Sequence, residues 1–186
     1  MNFYVITLFF HILGALGFFM ALALEWASLR HLWQATTTEQ VRAWLRAVTG
    51  ASQIGAASMV LILVAGFTLM ALGNIGAAWV IVAFWAFVLL AILRVALTGP
   101  RLAAVRRAVK DEQGTVSASL SRALHHPFLR VSIQIRLAIA VGIIFLMTVK
   151  PDLAGALLTV GGATVLGVVS AVLRLSGGRG AEKRTA

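Results

Sequence analysis

The sequence predicts an all-α polytopic membrane protein with five transmembrane helices, and three observations lead to that fold class. Hydrophobic residues make up 60% of the 186 residues, whereas about half is usual in soluble domains. Charged residues make up only 12%, which is about half the usual share. Several apolar segments approach or exceed the roughly 20 residues that a helix needs to cross a bilayer. A soluble globule and a disordered chain are therefore both excluded.

Five apolar segments are predicted to span the membrane. They are residues 3–24, 54–72, 77–93, 131–149 and 153–173. Their residues do not alternate between polar and apolar as barrel strands do, so helices are expected. Short turns join the second span to the third and the fourth to the fifth. Residues 1–175 are thus expected to form one transmembrane domain, followed by a basic cytoplasmic tail over residues 176–186.

The basic residues are predicted to lie on one side of the membrane. Of the 16 Lys and Arg residues, 15 fall in the segments 25–53, 94–136 and 174–186, and Lys150 is the exception. The positive-inside rule then predicts an outer N-terminus and an inner C-terminus. The net charge of +10 therefore indicates topology and attraction to the lipid bilayer. It does not indicate a nucleic-acid partner.

Two amphipathic helices are expected in the inner loops, over residues 38–49 and 100–112. Thr36 and Glu39 have capping-box spacing at the start of the first. The apolar stripes of the two helices are Val41, Trp44, Leu45 and Val48, and Leu102, Val105 and Val109. Such helices are more often plain membrane-lying anchors than a lateral gate or a docking site for a partner.

His11 is the first candidate functional residue, because it lies about eight residues into the first span. An ionisable side chain at that depth is costly and marks a functional site by default. A neutral imidazole can ligate haem iron or copper, or relay protons. The alternative is a histidine that is hydrogen-bonded to a neighbouring helix.

Depth limits the side chains that could share a cofactor with His11. Met70, Met147 and Tyr4 are expected near the outer end of their helices. The other histidines are expected at the inner face, roughly a membrane thickness away. A haem at His11 would therefore have a methionine or no second axial ligand, while a His-Met-Met set would suit Cu(I). Methionine is also a common apolar filler, so both interpretations stay open.

Glu25, Arg130 and Arg136 form a second candidate set, at the inner boundary. Glu25 is the only acidic residue predicted at that depth, and Arg136 lies within the fourth span. Pairing of these charges would give either a proton or solute path, or an ion pair that fixes helix packing.

Small residues recur at every fourth position of the fifth span. They are Gly155, Thr159, Ala163, Gly167 and Ala171. Such a stripe lets two helix backbones approach closely, either within the chain or in a homo-oligomer. No set of residues for hydrolysis or phosphoryl transfer is present.

Two short motifs carry a resemblance to a known group of proteins. They are Phe10-His11-Ile12-Leu13 with Gly14, and an apolar helix that ends in Lys150-Pro151. With the span layout, they resemble a family of uncharacterised bacterial integral membrane proteins. That family is similar to the CopD copper-resistance domain and to the HemJ-type protoporphyrinogen oxidases.

The resemblance implies a multi-pass protein of the bacterial inner membrane. His11 would match the histidine that HemJ-type proteins use around haem, and Lys150 and Pro151 would match the family's Lys-Pro. Residues 132–136 differ from the corresponding HemJ-type segment. The implied similarity is therefore one of scaffold, and haem b or copper is the implied cofactor.

Three functions remain as hypotheses. The first is a haem- or copper-linked redox or transport role that uses His11. The second is a non-catalytic membrane subunit or helix-packing partner. The third is a small-solute or proton pathway past Glu25, Arg130 and Arg136. No catalytic residues are identified, so a non-enzymatic role is favoured and the substrate stays open.

Overall fold

A computed structural model describes residues 2–73 and 77–182, with side chains described up to Leu173. All regular secondary structure in those residues is helical. Five helices are long and apolar enough to cross a membrane. The predicted all-α polytopic membrane fold is therefore confirmed, while the orientation of the termini stays a prediction.

Seven α-helices and one π-helical turn make up the described chain. They are α1 (Phe3–Leu32), α2 (Thr38–Gly73), α3 (Ala78–Leu93), the π-helical turn (Arg94–Thr98), α4 (Gly99–Lys110), α5 (Ala118–Leu124), α6 (Pro127–Val149) and α7 (Leu153–Glu182). Helix α7 continues into the predicted cytoplasmic tail, whose last four residues, 183–186, lie outside the described part. The predicted turn at residues 74–76 lies outside it as well.

The chain forms two compact units. The first contains Met1–Gly76 and Arg106–Ser121, and the second contains Ala77–Val105 and Arg122–Ala186. In the first unit α1 and α2 pack as an antiparallel pair. In four of their contacts the two residue numbers add up to 75 or 76. These are Gly14 with Ile62, Gly17 with Ser58, Ala21 with Gly55 and His31 with Trp44.

The first predicted amphipathic helix is continuous with the second span, and both form α2. Gly50 is the only glycine or proline between them, and one glycine costs about 1 kcal/mol, too little to end a long helix. Val41, Leu45 and Val48 of its apolar stripe are buried in the protein. Leu102, Val105 and Val109 of α4 are buried too. The apolar stripes of both helices are therefore buried within the protein, and a position of the helices at the membrane surface stays a prediction.

The start of α2 differs by one residue from the predicted capping box of Thr36 and Glu39. The Gln40 N–H donates to Thr37 Oγ1 at 3.3 Å, and the Thr36 N–H donates to Gln40 Oε1 at 3.0 Å. The segment after α4 then pairs with this start, because the Thr38 N–H donates to Gly114 O at 2.9 Å. That bond satisfies the carbonyl of Gly114, which lies outside any helix. The two residues are 76 positions apart, so the local sequence does not predict the bond.

In the second unit α3, α6 and α7 pack together. Ala83, Leu146 and Ala156 are buried at their common contact, with Trp79 and Met147 packed beside them. Alanines from two of the three helices keep the backbones close, as small residues do in membrane helices.

The π-helical turn lies between α3 and α4, directly before Gly99-Pro100. Pro100 has no N–H to donate to a carbonyl one turn back, so a regular helix cannot pass it unchanged. The Gly99 N–H donates instead to Arg94 O, five residues earlier. π-Helical turns of this kind are frequent at functional sites.

Candidate functional site

Small residues bring α1 and α2 into close contact. A Cβ on Gly14 would lie 3.1 Å from the backbone nitrogen of Ile62, and one on Gly17 would lie 2.5 Å from Ser58 Oγ. Larger side chains there would push the two helices apart. Sequence analysis singled out the stripe of α7 and missed this contact. The spacing of Gly14, Gly17 and Ala21 is the signal that could have revealed it.

His11 lies half-buried in this contact, on the side of Gly14 nearer the N-terminus of α1. Its Nδ1 is 3.2 Å from Ile62 O. A carbonyl oxygen only accepts, so Nδ1 carries the proton and donates it. In a neutral imidazole Nε2 then keeps its lone pair. No described residue forms a hydrogen bond with Nε2.

Gly66 makes room for the imidazole. A Cβ on Gly66 would lie 3.3 Å from His11 Cε1 and 3.5 Å from Nδ1. The ring therefore rests against the α2 backbone and reaches Ile62 O. Ile62 is four residues before Gly66, so the same oxygen also accepts the helical hydrogen bond of the Gly66 N–H. A side chain at position 66 would therefore displace the ring and weaken this bond.

The side chains expected to approach His11 lie in different surroundings. Met70 is half-buried and lies one turn beyond Gly66 on the same face of α2. Tyr4 lies two turns from His11 on α1 and is partly exposed. Met147 packs against the core of the second unit. Their approach to His11 stays a prediction, and Met70 is the candidate on the facing helix.

Two of the three charged residues predicted at the inner boundary are almost fully buried. Glu25 on α1 is 3% exposed and Arg136 on α6 is 4% exposed, while Arg130 is half-buried. Charged side chains are rarely buried to this extent unless they interact with another polar group. The pairing of Glu25 with Arg130 or Arg136 stays a prediction.

A buried hydroxyl pair lies at the π-helical turn of the second unit. Thr98 Oγ1 and Ser132 Oγ are 2.9 Å apart, and both residues are at most 1% exposed. Ser132 Oγ also lies 3.4 Å from Leu93 O, to which it donates. In the π-helical turn an N–H donates to a carbonyl five residues back in place of four. The Ser132 hydroxyl supplies a donor to the Leu93 carbonyl at the start of this turn. Sequence analysis missed this pair, because the two residues are 34 positions apart.

Part of the small-residue stripe of α7 lies against α6. A Cβ on Gly167 would lie 2.7 Å from the Cα of Ile135, and Ala163 Cβ lies 3.2 Å from the position of a Cβ on Gly142. Ala171 is buried. Gly155, in contrast, lies against the turn before its own helix, where its N–H donates to Asp152 Oδ1 at 2.9 Å.

Lys150 and Pro151, the family-like motif, form the turn between α6 and α7. Lys150 has φ 53°, in the left-handed region, which is uncommon for a residue other than glycine. Its N–H donates to Leu146 O and closes α6, as left-handed caps do. Its Nζ lies 5.8 Å from the ring centre of Trp79. The motif therefore has a structural role as a helix-ending turn.

No group of three or more His, Cys, Asp or Glu residues in the described chain could hold a metal ion. No family model matches the chain, and no curated protein or solved structure is significantly similar to it.

Proposed function

We propose that the protein is a haem- or copper-linked protein of the bacterial inner membrane and that His11 is its ligand. The observation that carries this proposal is the hydrogen bond from His11 Nδ1 to Ile62 O. It fixes the tautomer and the orientation of the ring and leaves the lone pair on Nε2. Metal-ligating histidines are commonly held through their other nitrogen in this way.

The residues around His11 agree with two kinds of group. A haem would take an imidazole nitrogen as an iron ligand, and Nε2 of His11 would provide it. Cu(I) favours soft ligands and would take Nε2 together with the thioether of Met70. Side chains on a helix lean toward its N-terminus, so in an antiparallel pair Met70 and His11 lean toward each other. Either group would supply one-electron redox chemistry when bound.

The chain's own residues would position this group. Ile62 O orients the imidazole, and Gly66 leaves space for its ring. The resemblance to CopD and HemJ-type proteins points to the same residue and to the same two cofactors.

The test is the absorption spectrum and metal content of the purified protein, produced with haem and copper supplied. Haem binding gives a Soret band that His11→Ala removes. Met70→Leu shifts this band if Met70 is the second ligand and leaves it in place if there is none. Copper binding gives one Cu per chain, which both substitutions lower. His31→Ala is the matched control, since His31 stacks on Trp44 at the opposite end of α1. A protein with neither cofactor would contradict the proposal and favour a non-catalytic membrane subunit.

A proton or solute path is the second candidate function. The burial of Glu25 and Arg136 favours it, because ionisable groups inside a membrane often mark such paths. Proton flux into liposomes that falls with Glu25→Gln and with Arg136→Gln would support this candidate. Flux equal to that of empty liposomes would contradict it.

A further inference from the structure

A cleft in the first unit is lined by three arginines. It measures about 480 Å³ and lies between the first turns of α2 and the end of α4. The arginine cleft consists of Arg42, Leu45, Arg46, Thr49, Arg106 and Val109. No carboxylate is among these residues, so the cleft is strongly positive. Leu45 and Val109 are buried and give it an apolar floor.

Arg42 has a structural role in the cleft. Its Nη2 donates to Val109 O at 2.9 Å and to Glu112 O at 2.6 Å. It therefore occupies carbonyls at and just beyond the end of α4, where helix carbonyls have no helical partner. Much of its hydrogen-bonding capacity is used by the chain itself.

Arg106 and Arg46 keep donors available. Arg106 Nη2 donates to Thr49 Oγ1 at 2.8 Å, and the Thr49 hydroxyl in turn donates to Leu45 O at 2.8 Å. These two bonds orient Arg106, but they use only one of its five guanidinium N–H groups. Arg46 is exposed and forms no hydrogen bond or ion pair with a described residue.

The cleft lies just before the predicted apolar span of α2, where the sequence places the membrane interface. Thr49 precedes the predicted start of the apolar span at Ile54 by five residues, or about 7.5 Å of helix. Trp26 and Arg30 of α1 lie at neighbouring levels, with the Arg30 guanidinium 5.8 Å from the Trp26 ring centre. Tryptophan and arginine together are typical of the interface beside lipid headgroups.

We propose that the arginine cleft binds the phosphodiester of an anionic phospholipid, with Arg46 and Arg106 as its ligands. Planar guanidinium groups bind phosphate oxygens in a bidentate manner. The buried Leu45 and Val109 would contact the glycerol and the first acyl carbons. Basic pockets at the cytoplasmic side of membrane helices bind lipid headgroups by the same chemistry. This proposal is independent of any cofactor at His11.

Native mass spectrometry of the detergent-purified chain, incubated with phosphatidylglycerol, tests the proposal. We expect one phosphatidylglycerol to stay bound per chain and phosphatidylcholine to be lost. Each of Arg46→Gln and Arg106→Gln should lower retention about fivefold, the factor expected for one basic residue at an anionic surface. Arg107→Gln is the matched control, because Arg107 is exposed on α4 next to Arg106 but does not line the cleft.

Two outcomes would overturn the proposal. One is equal retention of phosphatidylglycerol by the parent chain and by Arg46→Gln, a substitution at an exposed side chain that should not impair folding. The other is displacement of the lipid by millimolar inorganic phosphate, which would assign the cleft to free phosphate. If Arg106→Gln fails to fold, Thr49→Val leaves the guanidinium in place but removes its orienting bond. That variant should also lower retention.

Discussion

The imidazole of His11 on α1 donates its Nδ1 proton to the main-chain oxygen of Ile62 on α2, 3.2 Å away. This bond joins the two helices of the first unit at a point where Gly66 leaves room for the ring. It gives His11 a structural partner and at the same time orients Nε2 as a potential ligand. The sequence offered His11 either as a ligand or as a histidine that is hydrogen-bonded to a neighbouring helix, and this one geometry is compatible with both.

Gly66→Ala should weaken this hydrogen bond. The added Cβ would lie 3.3 Å from His11 Cε1, so the ring must move by a few tenths of an ångström. Nitrogen-15 NMR of the labelled imidazole should show the Nδ1–H tautomer in the parent chain and a larger Nε2–H fraction in the variant. Gly50→Ala on the same helix, with nothing within 4 Å, should leave the spectrum unchanged. Identical tautomer populations in Gly66→Ala would contradict the geometry.

Gly167→Ala should destabilise the second unit. Its Cβ would lie 2.7 Å from the Ile135 backbone, so α6 and α7 must separate, at a cost of about 1–3 kcal/mol for overpacking. Gly161→Ala is the matched control on the same helix, since nothing lies within 4 Å of its Cβ. It should leave stability unchanged or raise it by up to about 1 kcal/mol through helix propensity. Thermal unfolding in detergent measures both, and equal midpoints would refute the α6–α7 contact.

Arg42→Ala should loosen the end of α4. The substitution leaves the carbonyls of Val109 and Glu112 without their charged donor, at a cost of about 1–3 kcal/mol. Faster amide hydrogen exchange over residues 108–117 is the expected result. Arg107→Ala, at an exposed position, should change exchange little. Equal exchange in the two variants would show that Arg42 does not cap the helix.

The predicted orientation can be tested by cysteine labelling, because the chain contains no cysteine. A cysteine at Asp152 should react with an impermeant reagent from outside the cell, and cysteines at Thr37 and Gln113 should not. The basic residues on one side motivate this result. Labelling at Gln113 from outside would reverse the predicted topology.

Local sequence patterns predicted well which parts of the chain form long apolar helices. Apolar runs of sufficient length correspond to the five helices that could span a membrane. The turn at Lys150-Pro151 ends α6, because a residue before proline is disfavoured in the α conformation. The exact starts and ends were less predictable, since α1 continues to Leu32 and α2 begins at Thr38. Buried contacts extend those helices beyond their apolar runs.

The sequence by itself determined the membrane class, because hydropathy and charge depend on composition and order alone. Only the tertiary structure decided what His11 contacts, since Ile62 is 51 positions away and its acceptor is a main-chain oxygen. The same holds for Thr98 with Ser132 and for Arg42 with Glu112. Such bonds involve main-chain oxygens, which every residue carries, and hydroxyl groups, which many side chains carry, so the sequence does not single out the partners. Which of them meet is decided by how the helices pack in three dimensions, and not by any local motif.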